Sequence, residues 1–240
     1  MKKKKPSWLW LPGVLYLVQL VFCPLASAEK SSEPPADLVI LNLNNLQPGK
    51  ALPAGWQLQT FSGVQKPTTY RLTQASDVAT PVIAAAADHS AAGLTRRLDV
   101  DPSQYPTLSW RWKVSGVLER AVLSEQTGDD SAARLLVSFG TNWLKGGLPR
   151  GTLCYVRGSV EPVGTMITSP YRSDVVSIVV SSGRATVGIW ETLHRHLIDD
   201  YLRAFGEQPG DIRAISLMSD TDNTGSSVFA WYGEIRLSAE

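Results

Sequence analysis

The sequence predicts an all-β fold, a single jelly-roll-like β-sandwich with one short helix packed on it. Short apolar or alternating runs recur from Leu38 to Leu237, separated by Gly, Pro, Asn and Asp, which is the spacing of a sandwich. One run, Leu108-Ser109-Trp110-Arg111-Trp112-Lys113-Val114, sets four apolar residues on one face and three polar ones on the other. A single segment breaks the pattern. Trp190 to Phe205 carries Leu193, Leu197, Tyr201 and Phe205 four apart and ends at Gly206, which reads as a helical stripe with a glycine cap.

From the N-terminus, Lys2 to Lys5 precede an apolar stretch from Trp8 to Leu25, which closes on Ala26-Ser27-Ala28. A basic start, a short apolar core and small residues at its end make residues 1–28 a secretory signal cleaved after Ala28. Pro12, Gly13, Gln19 and Pro24 interrupt the run and leave it marginal for the ~20 apolar residues of a membrane span. The expected location is periplasmic or secreted, with no span after cleavage. Residues 29–36 carry paired prolines and no apolar anchor, the composition of a disordered leader. Residues 37–240 then form one domain. Strands are expected at Trp56–Phe61, Thr69–Leu72, Pro81–Ala86, Gly93–Leu98, Leu108–Val114 and Ala133–Phe139. Further strands are expected at Leu153–Val156, Val175–Val180, Ala185–Trp190, Ile212–Met218 and Val228–Leu237.

Cleavage changes the charge balance. The 23 basic residues lose four lysines and the 22 acidic residues lose none, so the exported chain carries about −3, with both signs scattered along it. Without a basic patch, nucleic acid is excluded as a partner class. Cys23 leaves with the signal, so Cys154 stands alone and no disulfide staples the domain. In the apolar run Leu153-Cys154-Tyr155-Val156 it reads as a buried, inert thiol.

Three constellations could carry chemistry. Asp220, Asp222 and Thr224, followed by Gly225, match the first, third, fifth and sixth positions of a calcium loop, where alternating oxygens converge on a hard cation. The twelfth position falls on Trp231 instead of Glu, so an EF-hand is excluded. What remains is a looser Ca2+ turn or a self-hydrogen-bonded turn between two strands. Asp129 and Asp130 lie just ahead of Arg134 at the mouth of a strand, where a guanidinium can fork onto a carboxylate. The same acids could hold a sugar hydroxyl, or act with Glu191 as an acid–base pair. Trp143, in the polar loop Thr141-Asn142-Trp143-Leu144-Lys145-Gly146-Gly147, is placed to stack on a ring, whereas Trp110 and Trp112 read as core. His194 and His196, two apart on the expected helix, point to different sides of it. No His-Glu-x-x-His, Gly-x-Ser-x-Gly, phosphate-loop or dinucleotide motif occurs.

Several strings occur together and in order. They are Leu52-Pro53-Ala54-Gly55-Trp56, Pro106-Thr107-Leu108-Ser109-Trp110-Arg111-Trp112, Gly128-Asp129-Asp130-Ser131-Ala132-Ala133-Arg134, Asp200-Tyr201 with Phe205-Gly206-Glu207, and Leu217-Met218-Ser219-Asp220-Thr221-Asp222-Asn223-Thr224-Gly225. In these strings the chain resembles the bacterial family called domain of unknown function 3047, from about Leu46 to Leu237. The resemblance implies an exported protein of the bacterial envelope and carries no activity with it. It also implies an aromatic after Tyr155-Val156, where this chain has Arg157.

The leading expectation is a non-enzymatic binding module for a glycan or similar polar ligand, using Asp129, Asp130, Arg134, Trp143 and Glu191. The alternatives are an envelope hydrolase working through Asp129, Asp130 or Glu191, and an accessory protein that docks another envelope protein. Cleavage after Ala28 makes Glu29 the first residue of the exported protein. N-terminal sequencing of that protein is expected to begin there; a retained Met1 or a lipid-modified Cys23 contradicts the signal assignment.

Overall fold

Alternation of period two is clearest in the strands Thr69–Thr73, Val82–Asp88, Thr107–Val114, Glu191–His196, Asp211–Asp220 and Ser227–Ser238 of the computed structural model, which describes residues 36–140 and 151–239. The segment expected to be a signal (1–28), the expected leader (29–36) as far as residue 35, and Trp143 lie outside the described residues. In β6 (Thr107–Val114), Leu108, Trp110, Trp112 and Val114 are buried while Ser109, Arg111 and Lys113 face outward. The same rule orients its neighbours. A six-stranded sheet runs β11 (Glu191–His196), β6, β13 (Ser227–Ser238), β4 (Val82–Asp88) and β3 (Thr69–Thr73), and β1 (Leu38–Leu41) also pairs with β13. A seven-stranded sheet runs β2 (Trp56–Gln59), β5 (Ala91–Val100), β12 (Asp211–Asp220), β7 (Ser131–Gly140), β8 (Thr152–Gly158), β10 (Val175–Ser182) and β9 (Met166–Thr168). Only the β8–β10 pair is parallel among the described strands.

The two sheets stack on one apolar core, so the fold is a β-sandwich with one short helix. Trp110, Trp112 and Tyr232 of the first sheet meet Leu135, Tyr155, Ile215 and Leu217 of the second. Trp110 lies with its ring centroid 5.6 Å from Trp112, edge-on, and 5.2 Å from Tyr155. Two tyrosines tie the layers through backbone groups as well. The Tyr70 hydroxyl donates to the Ala92 carbonyl (2.6 Å) and the Tyr232 hydroxyl to that of Met218 (2.6 Å), next to a register shift between Met218 and Asp220. Cys154 is buried as expected, and burial pushes its thiol up to about 11, which keeps it protonated and unreactive.

Two expectations are corrected. The stripe from Trp190 is not one helix: residues Glu191–His196 form β11, paired antiparallel with β6, and only Leu197–Phe205 is helical (α1). A spacing of four fits a helical face but is also twice the strand period, so Leu193 satisfies both. The helix starts where His196 caps it, accepting from the Asp199 N–H, with Asp199 and Asp200 in its first turn. It ends at Gly206, whose φ of 73° is the expected left-handed cap. His194 and His196 therefore share the exposed face of a strand, not opposite sides of a helix. Ala185–Trp190 is a turn, not a strand, because Gly183 ahead of it and Gly188 within it adopt left-handed backbone, at φ of 73° and 77°. β1 and β9 were not anticipated; both are four residues or fewer, too short to show a period.

Trp112 is completely buried at the centre of the interface between layers. Trp112→Ala is expected to cost about 3–5 kcal/mol in chemical denaturation, the range for truncating a buried large aromatic. An unchanged unfolding midpoint contradicts its placement as core.

Candidate functional site

The two acidic motifs, far apart in sequence, meet at one end of the seven-stranded sheet. Asp129 and Asp130 precede β7, and Asp220 ends β12, its neighbour, opposite Ser131. Arg134 points to the outer face from the first turn of β7 and is 6% exposed. Its Nη2 donates to both the Asp129 carboxylate (2.7 Å) and the Asp129 carbonyl (2.8 Å), and its Nε donates to Asp220 Oδ1 (3.2 Å). The same Asp220 oxygen accepts from the Ser131 N–H (2.9 Å). Asp130 turns the other way, accepting from the N–H groups of Asn223 (3.2 Å) and Thr224 (2.6 Å). One acid pair thus grips a guanidinium and a backbone turn at once.

The turn is not a hairpin. β12 and β13 belong to different sheets, so Thr221–Ser226 arches from one layer to the other. A second arch, Asp88 to Ser90 between β4 and β5, packs against it: the Thr221 N–H donates to the Ser90 carbonyl (2.9 Å) and the Ser90 N–H to Thr221 Oγ1 (3.2 Å). Gly225, at φ 61°, takes the left-handed corner. Thr224 Oγ1 donates to Ser226 (2.8 Å), and Asp222 is exposed. Of the three turn residues, Asp220 is taken up by Arg134 and the Ser131 N–H and Thr224 by Ser226, while Asp222 lies open at the cavity rim. Among the described residues no group of three or more acidic, histidine or cysteine side chains is arranged to hold a metal ion.

Burial dominates the electrostatics here. It raises Asp220 to about 7; Arg134 and the Ser131 N–H pull it down, while the charges of Asp130 and Asp129 add to the rise. Asp222 is also raised, by burial first and then by Asp130. Burial alone would lower Arg134, but Asp220 and Asp129 outweigh it and keep the guanidinium charged.

This cluster forms one end of a groove. A cavity of about 500 Å3, bounded by Phe61, Asp129, Arg134, Tyr171, Asp220 and Asp222, adjoins one of about 670 Å3 bounded by Thr95, Arg97, Ser138, Thr152 and Arg213. Both include Phe61, Leu136, Val175 and Met218, so they form a continuous trough on the outer face of the seven-stranded sheet. Its floor is hydroxylated: Thr95 bonds Ser216 (2.8 Å) and Ser138 bonds Thr152 (3.1 Å).

A family profile described as "Protein of unknown function (DUF3047)" matches residues 54–236. The chain belongs to the DUF3047 family. No curated protein matches it. Among solved structures it is similar to the family 11 carbohydrate-binding module of the cellulosomal cellulase Lic26A-Cel5E of Clostridium thermocellum. The identity is 11% and the TM-score 0.44, over 84% of this chain and 94% of that one. The xyloglucanase domain of NopAA, a type three effector from Sinorhizobium fredii, is 13% identical with a TM-score of 0.41, over 75% and 93%.

In this DUF3047 protein the sequence-derived site residues divide. Asp129, Arg134, Asp220 and Asp222 line the trough together, and Asp130 and Thr224 hold its rim. Glu191 does not join them. It sits on the inward side of β11, 3.6 Å from the buried Arg157 guanidinium, which bonds Ser181 and the Gly183 carbonyl. Arg157, in place of the aromatic implied by the family resemblance, thus reaches across the sandwich to Glu191. Trp143 belongs to the segment joining β7 to β8, outside the described residues. Sequence reasoning missed Phe61 and Tyr171, two exposed aromatics on the trough walls. Tyr171 is held in place by donating to the Gln126 carbonyl (2.8 Å) and accepting from Asn223 Nδ2 (2.7 Å). The available signal was an aromatic directly after Ser169-Pro170, in a turn where no core needs it.

The raised Asp220 has a thermodynamic consequence. The folded state holds this proton up to about pH 7, whereas an ordinary aspartate releases it near 3.8. The resulting stabilisation is complete below about pH 4 and is lost as pH rises towards 7, on the order of 4 kcal/mol. Melting temperature is therefore expected to fall between about pH 4.5 and pH 7.5, and less steeply in Asp220→Asn. Parallel curves for the two proteins contradict the assignment.

Proposed function

We propose that this DUF3047 member is an exported envelope protein that binds an extended, hydroxyl-rich chain, a glycan, in the trough of its seven-stranded sheet. The observation that carries this reading is the trough itself, with ring-bearing walls and a polar floor. Its lining on β12 runs from Arg213 to Asp220, which at about 3.3 Å per residue gives a length of about 23 Å, room for several sugar rings. Phe61 and the braced Tyr171 offer aromatic faces for the apolar side of a ring. The Thr95–Ser216 and Ser138–Thr152 pairs, with Arg134 and the carboxylates at one end, offer donors and acceptors for its hydroxyls. The acids are engaged as hydrogen-bond acceptors, and Glu191 lies away from Asp129 and Asp130, so a binding role is favoured over hydrolysis by those three residues.

The test is calorimetric titration with neutral oligosaccharides and soluble peptidoglycan fragments. At least one is expected to bind, and Tyr171→Ala and Phe61→Ala to weaken it about tenfold each, a loss of about 1.4 kcal/mol. Both side chains are exposed, so folding is retained. No binding to any probe, or binding indifferent to both substitutions, contradicts the proposal. Cell fractionation is expected to find the protein outside the cytoplasm.

A further inference from the structure

The opposite face of the sandwich carries a second surface of different chemistry. Outward residues of the six-stranded sheet place Phe229 and Trp231 two apart on β13, their rings 6.3 Å apart and within 24° of parallel. Cross-strand register extends this pair sideways: Trp231 stands beside Lys113 of β6 on one side and Ala84 of β4 on the other, and Ala84 beside Arg71 of β3. Lys113 lies between two indoles, its Nζ 4.9 Å from the Trp231 centroid and 5.3 Å from that of Trp190. Asp77 holds this arrangement, accepting from Lys113 (2.6 Å) and from Trp190 Nε1 (3.1 Å). Arg111 continues the row, its guanidinium 5.1 Å over the outer side of Trp190 and bonded to Thr80 (3.0 Å). Gly233 leaves the space its stem occupies; a Cβ there would collide with Arg111 Nε.

The result is a strip of rings and cations crossing the sheet. Unlike the core tryptophans Trp110 and Trp112, Trp190 and Trp231 are only partly buried and belong to this outer face. Phe229 is 53% exposed and Ile189 56%. Of the cations, Lys113 is neutralised by Asp77, whereas no described carboxylate pairs with Arg71 or Arg111. On the other face only the arch end of the trough is acidic, with Asp129, Asp220 and Asp222 around Arg134.

We propose that this strip is a second binding surface, for an acidic polysaccharide whose sugar rings lie on Phe229 and Trp231 and whose carboxylates meet Arg71 and Arg111. The near-parallel rings are interleaved with cations, Lys113 against Trp231 and Arg111 against Trp190, which suits stacking of carboxylate-bearing sugar rings better than insertion into a bilayer. The two unpaired guanidiniums supply forked donors for carboxylates on separate rings. The net charge of the exported chain, about −3, disfavours a generic polyanion interaction, so attraction of an acidic chain needs local cations such as these. The inference is independent of the trough, because the two sets of residues lie on opposite sides of the sandwich.

The experiment titrates the exported protein, at low salt, with polygalacturonate, neutral dextran and vesicles containing phosphatidylglycerol. Binding to polygalacturonate and not dextran is expected, weakening as salt is added. Phe229→Ala, Arg71→Gln and Arg111→Gln are each expected to weaken it at least tenfold, with Tyr171→Ala unchanged. Phe229 and Arg71 are exposed, so those two variants report binding even if Arg111→Gln disturbs its packing. Absence of polygalacturonate binding, binding unaffected by Phe229→Ala and Arg71→Gln, or attachment to vesicles alone overturns the proposal. Loss through Tyr171→Ala instead assigns the polymer to the trough and also overturns it.

Discussion

A buried guanidinium gripped by carboxylates from a loop and from the neighbouring strand is the constraint around which the functional end of the molecule is organised. Arg134 is 6% exposed, a position that costs several kcal/mol in desolvation unless opposite charges and hydrogen bonds offset it. Asp129 supplies one carboxylate from before β7 and Asp220 another from the end of β12. The register of two central strands, the path of the loop ahead of them and the start of the arch to the second sheet follow from this one contact. Gly128 shows how tightly the loop must close, since a Cβ there would stand 2.8 Å from the Val122 nitrogen. Asp130 then carries the constraint into the arch by taking the N–H groups of Asn223 and Thr224.

Asn223 passes the order outward. Its amide reaches Gln126 and Tyr171, so the aromatic on the trough wall is braced by the turn that Asp130 holds. The acidic motifs therefore shape a site as well as line it. On the far side, the sheet that shares the core presents rings and unpaired guanidiniums instead of carboxylates. A two-layer fold separates these chemistries because each strand offers alternate residues to the core and to solvent. β13 shows both roles at once, with Val228, Ala230 and Tyr232 inward and Phe229 and Trp231 outward.

The sandwich was legible because alternation is visible within a single strand. Leu108 to Val114 declares both its period and its buried face without any partner. Where two periods coincide, that signal fails: the spacing of four from Leu193 to Phe205 fits a helix throughout, but pairing with β6 claims its first part for the sheet. Ala185–Trp190 shows the converse, since apolar content suggested a strand that two left-handed glycines forbid. The acids and Arg134 were legible as a local ion pair, but Asp220 as its second partner was not, because that contact spans 86 residues and depends on strand order. Phe61 read as the end of a strand that stops at Gln59, and Tyr171 gave no periodic signal, as it stands alone in a loop. Trp231 was not legible as a surface residue, because only the alternation of β13 against its partners shows that it faces outward.

The account rests on Asp130 holding the arch that braces the trough, and native-state hydrogen exchange measures that directly. In the unaltered protein, the amides of Asn223 and Thr224 are expected to be protected far beyond those of a surface turn. In Asp130→Ala their protection is expected to collapse towards that of free peptide, while amides in the centre of β6 and β12 stay protected. Unchanged protection at Asn223 and Thr224 in the variant would contradict the account, because the arch would then be held by something other than this carboxylate.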